Sequence, residues 1–243
     1  MKQKIVELVY GVHPVVELLK AKKRKITTLY LLQPEPQTFK QIKPHLPLYP
    51  FRLVYKARKD LTQISGTPDH QGIAVLTTPL PIRKKPFDPK KQPYVILLDG
   101  IQDPRNLGAI LRSVYCTGFQ GVILTKKNTS PLNAVALKSS AGLAELLDIY
   151  QAPSATAAIQ ELKQAGYHIY ISALSKAAAN ATNIDFKHPL CLVIGSEGYG
   201  VSKDVLSKGQ AIMLPQRTAD ISYNASVAAG ILMFFIATKN SLI

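Results

Sequence analysis

From Tyr94 onward, short and almost wholly apolar runs alternate with helix-length amphipathic segments, and that rhythm restricts the fold more than any other feature of the chain. The runs are Tyr94–Leu98, Val122–Leu124, Ile169–Ala173, Leu190–Ile194 and Ala211–Leu214; the segments between them are Pro104–Thr117, Asn133–Leu143, Ser154–Ala165 and Ser202–Ser207. A strand that is apolar at nearly every position is buried on both faces, and strands joined through helices run parallel. The expectation is therefore an α/β domain, a mostly parallel sheet with helices on both faces. Ligands in such sheets bind beyond the carboxyl ends of the strands, so the loops that follow the apolar runs are where chemistry should lie.

Upstream, Pro79, Pro81, Pro86, Pro89 and Pro93 are interspersed with Arg83, Lys84, Lys85, Lys90 and Lys91. Prolines fix φ and remove donors, so residues 79–93 read as an extended basic linker. It divides a small α/β module at 1–78 from a second domain at 94–243. The module holds apolar runs at Leu29–Leu32, Phe51–Tyr55 and Ile73–Thr77 and a helix at Pro14–Lys20. Charge follows the same division. The chain carries 30 Lys and Arg against 15 Asp and Glu, yet residues 1–93 alone hold 18 against 6. A basic front piece on a nearly balanced remainder points to a polyanion, with Lys22, Lys23, Arg24 and Lys25 as candidate phosphate contacts. The bland reading of such a run is a solvated surface.

With 47% apolar residues, a chain of 243 can bury a sizeable core, which excludes disordered and low-complexity classes. The longest apolar stretch, Ala225–Ala237, falls short of the roughly 20 residues that span a bilayer. The opening residues Met1-Lys2-Gln3-Lys4 lack the apolar region of a secretory signal. Cys116 and Cys191 form no CxxC pair, so neither a zinc cage nor a disulfide framework is expected. A reducing, cytoplasmic setting suits that pattern.

Three segments carry chemistry. In the first, Asp103 and Pro104 open a helix whose core stripe is Leu107, Ile110, Leu111 and Val114. Arg105 and Arg112, seven residues apart, share another face and flank Gly108 and Ala109, a cationic floor for a phosphate. The second, Gly195-Ser196-Glu197-Gly198-Tyr199-Gly200, follows an apolar strand. Its order is not that of the dinucleotide fingerprint, and Glu197 would repel a pyrophosphate; a cationic ligand suits the carboxylate better. In the third, a strand ends at Leu214-Pro215 and a polar loop, Gln216–Ile221, follows. Ser222-Tyr223-Asn224 then lead into a small-residue helix, where Ser and Asn are natural caps.

In this order and spacing the segments resemble the three motifs of the SpoU-type (TrmH-like) RNA 2′-O-ribose methyltransferases of the SPOUT class. Asn106 and Arg112 match motif one, Gly195, Glu197 and Gly198 motif two, and Ser222 and Asn224 motif three. Val9–Pro14 and His70–Ala74 resemble the borders of that family's ribosomal-protein-like substrate-binding domain. The likeness spans almost the whole chain and leans toward the branch that methylates a guanosine ribose in large-subunit rRNA. It implies a trefoil knot in the second domain, S-adenosylmethionine as methyl donor, no metal, and a homodimer joined through the knot region. Carried over by motif, the cofactor contacts fall at Ala173, Gly195, Gly198, Leu214, Ser222, Tyr223 and Asn224. The catalytic set is Asn106, Arg112, Glu197, Ser222 and Asn224, and Arg105 and Arg112 join the basic run as RNA contacts. Tyr223 stands where the family usually has leucine, and the Gln216–Ile221 loop lacks the usual glycine-serine character.

The implied reaction is attack of a ribose 2′-hydroxyl on the sulfonium methyl. An arginine stays protonated, so Arg112 is expected to grip the neighbouring phosphate and orient the hydroxyl rather than act as a free base. Two other readings use the same features: a tRNA 2′-O-methyltransferase, and a non-catalytic RNA-binding or ribosome-assembly protein on the same fold.

Overall fold

A computed structural model describes residues 6–175, 177–218 and 221–243. The elements run β1 (Glu7–Tyr10), α1 (Val12–Ala21), β2 (Ile26–Leu32), β3 (Arg52–Lys56), α2 (Arg58–Ser65) and β4 (Ile73–Thr77). They continue with β5 (Tyr94–Asp99), α3 (Pro104–Cys116), β6 (Gly121–Thr125), α4 (Ala134–Ser139), β7 (Ile149–Ala152) and α5 (Ala155–Gln164). The last are β8 (His168–Ser172), β9 (Ala179–Asn180), β10 (Leu190–Gly195), α6 (Lys203–Leu206), β11 (Gln210–Met213) and α7 (Ala225–Lys239). No helix among the described residues is long and apolar enough to cross a membrane.

The chain forms two compact units, and their boundary is not linear. One unit comprises residues up to Pro81 together with Leu132–Leu146; the other comprises Ile82–Pro131 and Leu147–Ile243. The segment expected as a second-domain helix at Asn133–Leu143 thus belongs with the first unit and is helical only over α4.

The first unit is a mixed sheet in the order β1-β4-β2-β3, antiparallel except for the β2/β3 pair. Helix α1 buries Val12, Val15, Val16, Leu18 and Leu19, a stripe at helical spacing. The chain enters α1 through Gly11 at φ +92°, a conformation that a residue with a side chain adopts only under strain.

Arg24 corrects the expectation of a solvated basic run. It is 5% exposed; Nη1 donates to Glu145 Oε1 at 2.7 Å, Nη2 to Glu7 Oε2 at 2.6 Å and Nε to the Thr78 carbonyl at 2.6 Å. With its donors turned inward, Arg24 offers no phosphate contact. Lys22, Lys23 and Lys25 around it are exposed. Burial pushes the Glu145 carboxyl above its ordinary pKa, and the Arg24 guanidinium opposes that rise.

The second unit is a seven-stranded sheet, parallel at every pair, in the order β7-β6-β5-β10-β8-β11-β9. Val95, Leu97, Ile169, Ile171, Cys191 and Val193 pack with Ala155, Ile159 and Leu162 of α5 and Val205 of α6. Strand alternation turns Ile96, Leu98, Leu192 and Ile194 to the opposite face, which α3 and α7 cover. The proline-rich stretch is not a free spacer from Ile82 on. The Arg83 amide donates to the Ile149 carbonyl at 2.8 Å, its guanidinium pairs with Asp148 at 2.8 Å, and Phe87 is buried against Gly121. This strap covers the β7 edge, an exposed pairing surface without it.

Candidate functional site

Strand order reverses between β5 and β10: the chain moves outward from β5 through β6 to β7, then returns to build β8, β10 and β11 on the other side. Such a switch point leaves a crevice beyond the carboxyl ends of the strands. To one side of that point, the loops following β8, β10 and β11 border a cavity of about 350 Å³. Ser172, Ala173, Leu174 and Ser175 form its first wall, Gly195 to Val201 its second, and Met213, Leu214, Gln216, Ser222, Tyr223, Ala225 and Ala228 its third.

The β10 loop is a tight hairpin. Ser196 and Gly200 exchange backbone hydrogen bonds at 2.9 and 3.0 Å, and Ser196 Oγ donates to the Gly200 carbonyl at 3.3 Å. A side chain on Gly195 would collide with the backbone of Gly200 and Val201, so the turn closes only on glycine. At Gly198 an added Cβ meets nothing within 4 Å. Packing within the chain does not require that glycine, and it lies on the cavity wall, as close approach of a ligand to the backbone would demand. Asp99 Oδ2 accepts from the Ser202 amide at 3.0 Å and fastens the end of the loop to β5.

Helix α3 starts as its sequence dictates, with Asp103 accepting from the Arg105 amide at 2.8 Å and Pro104 in the first turn. One turn in, Asn106 Nδ2 donates to Glu197 Oε1 at 2.7 Å. That bond joins the first and second segments across 91 residues of sequence. Arg112 lies about 9 Å further along α3 and about 120° around it from Asn106. It is exposed and does not line the cavity. Arg105 shares its face and is also exposed. The third segment is shaped by its caps: Asn224 accepts from the Ser226 amide at 2.9 Å and from Ser226 Oγ at 2.6 Å, starting α7. Gln216 Nε2 donates to the Ile221 carbonyl at 3.0 Å and closes the preceding loop, of which Ala219 and Asp220 lie outside the described residues.

Of the residues expected at the cofactor, Ala173, Gly195, Gly198, Leu214, Ser222 and Tyr223 lie on the cavity wall, whereas Asn224 caps α7 beside it. Of the expected catalytic set, Asn106 and Glu197 meet, Ser222 lines the cavity, and Arg112 stands apart. Ser172, Leu174, Ser196, Met213 and Gln216 also line the cavity and were not singled out by motif. Their signal was positional, since each lies at or just beyond a strand's carboxyl end. Among the described residues no three His, Cys, Asp or Glu side chains cluster as metal ligands.

The cavity fits a small cationic cofactor. Its wall mixes apolar side chains with hydroxyls and glycine backbone, and it includes one carboxylate, Glu197. Comparisons with known proteins agree with that chemistry. Residues 93–234 match the SpoU rRNA Methylase family, and residues 8–82 match the domain described as RNA 2′-O ribose methyltransferase substrate binding. The chain is 29% identical over 237 residues to the 23S rRNA (guanosine-2′-O-)-methyltransferase RlmB of Shewanella oneidensis, covering 94% of this chain and 95% of that one. It is 31% identical over 258 residues to the mitochondrial rRNA methyltransferase 1 of Homo sapiens, covering 96% and 73%. In structure it resembles the AdoMet-bound rRNA methyltransferase of Sinorhizobium meliloti, with a TM-score of 0.81, 21% identity, and 98% and 88% of the two chains covered. A parallel sheet with a cavity beyond the carboxyl ends of β8, β10 and β11, the Asn106–Glu197 pair and a match over both parts of the chain place this protein in the SpoU family of RNA 2′-O-ribose methyltransferases.

Proposed function

We propose that the protein methylates the ribose 2′-hydroxyl of a guanosine in large-subunit rRNA, and does so as a homodimer. The observation that carries the reading is the convergence of three loops, distant in sequence, on one cavity whose hairpin also grips Asn106 of α3. The choice of guanosine rests on likeness to the Shewanella enzyme over nearly its whole length.

S-adenosylmethionine bound in the cavity supplies an activated methyl group on a sulfonium. The remaining work belongs to the chain. Backbone of the Gly195–Gly200 hairpin and of Leu214, with Ala173, Ser222 and Tyr223, forms the walls that hold the cofactor. Glu197 holds Asn106 and adds a negative charge beside the cationic ligand. Arg112, a permanent cation with five donors, grips the phosphate next to the target ribose and orients its hydroxyl. The hydroxyl proton passes to that phosphate or to water. Since Arg112 lies off the wall of its own chain's cavity, a second copy brings it to the reacting atoms. Helix α7 favours that assembly: it is apolar on all sides, with Val227 and Phe234 exposed, and it packs on α3, where Tyr115 is exposed near Arg112.

Incubation of unmodified rRNA and tRNA with the protein and S-adenosylmethionine, followed by mass mapping of ribose methylation, tests this reading. One methylated guanosine in large-subunit rRNA is expected; methylation of tRNA alone, or none, overturns it. Arg112→Ala should leave cofactor affinity intact and lower turnover by about 100-fold or more, the scale of a lost positioning contact.

A further inference from the structure

Tyr199 is the most exposed aromatic side chain among the described residues, at 94%, although it lines the cavity. Its backbone is well anchored: its amide donates to Ser196 Oγ at 3.4 Å, within the hairpin that Ser196 and Gly200 close. The ring is therefore presented by a fixed turn rather than by a loose loop. Its chain neighbours are Gly198 and Gly200, and a Cβ added at either would meet nothing within 4 Å. The openness of the ring itself follows from its 94% exposure.

Leu174, Leu206 and Tyr223 on the same wall are 40–48% exposed, so the Tyr199 ring projects well beyond the rest of the apolar wall. It has what a nucleobase needs, a flat π surface approachable from either side on a rigid support. The same turn carries Glu197, bonded to Asn106, so the ring rises beside the cavity where the ribose is to be methylated. We propose that Tyr199 stacks on a base of the RNA substrate at the cavity mouth and helps determine which nucleotide is presented. This rests on the RNA methyl-transfer reading above.

The test compares Tyr199→Ala and Tyr199→Phe with the wild type in RNA binding by fluorescence anisotropy, in methyl-transfer kinetics, and in S-adenosylmethionine binding by calorimetry. Tyr199→Ala should weaken RNA binding and raise KM for RNA by about tenfold or more, the scale of one lost stacked base. Any change in cofactor affinity should be smaller than the change in RNA affinity, and Tyr199→Phe, which keeps the ring, should restore the wild-type values. Unchanged RNA affinity in Tyr199→Ala overturns the proposal. So does a change of oligomeric state on sedimentation, which would assign the ring to a second copy of the chain. Should the wild type bind RNA without methylating it, a Tyr199 effect on binding still supports stacking, and the methyl-transfer reading alone falls.

Discussion

Gly195 and Gly198 lie three residues apart in the hairpin after β10, yet they are glycines for different reasons. At Gly195 a methyl group would run into the backbone of Gly200 and Val201, which cannot swing aside as a flexible side chain can. At Gly198 the same methyl would meet only the cavity. Gly195→Ala should therefore cost about 1–3 kcal/mol in urea unfolding, the usual range for overpacking, and abolish cofactor binding as the hairpin opens. Gly198→Ala should leave stability unchanged and weaken S-adenosylmethionine binding, read by calorimetry. Equal effects on stability would show that the hairpin needs both glycines for itself. These positions were legible because motif spacing is local information. Arg24 was not: within Lys22–Lys25 it looks like any surface cation, and only its pairing with Glu145, 121 residues away, marks it as buried.

Among the elements, legibility followed length and apolar content. Strands β5, β6, β8, β10 and β11 and helices α3 and α5 follow directly from apolar runs and helical periodicity. The four-residue strands β1 and β7 and the polar helix α2 carry too little pattern to stand out, and α2 buries only Leu61 among its eight residues. The turn Leu143–Leu146, which buries Ala144, is also tied to the first unit by an ion network in which Arg24 and Glu145 are buried and Glu7 is partly exposed. Removing one partner leaves the other charge buried and unpaired. Arg24→Met is expected to destabilise the protein by about 3–5 kcal/mol, whereas the double change Arg24→Met with Glu145→Leu should recover much of that loss. Urea unfolding of both variants distinguishes this network from an incidental surface pair, for which both effects would be near zero.

Across the whole molecule, the basic excess of residues 1–93 is expected to set how RNA is approached. Lys and Arg side chains displace condensed counterions, so RNA affinity should fall steeply between low and moderate salt in a filter-binding series. A flat profile would contradict a phosphate-directed front surface. Charge distribution and the alternation of strands and helices were readable as totals along the chain. The strand order and the recruitment of Leu132–Leu146 to the first unit were not, since both depend on which distant segments fold together.

That recruitment restricts how such a protein can be recombined. The first unit takes one of its helices from the middle of the gene, so swapping its leading third between relatives would separate Arg24 from the carboxylate that shaped its burial. A working hybrid has to transplant two stretches of coding sequence together, and the same linkage would hold residues 132–146 to the evolutionary history of the front piece.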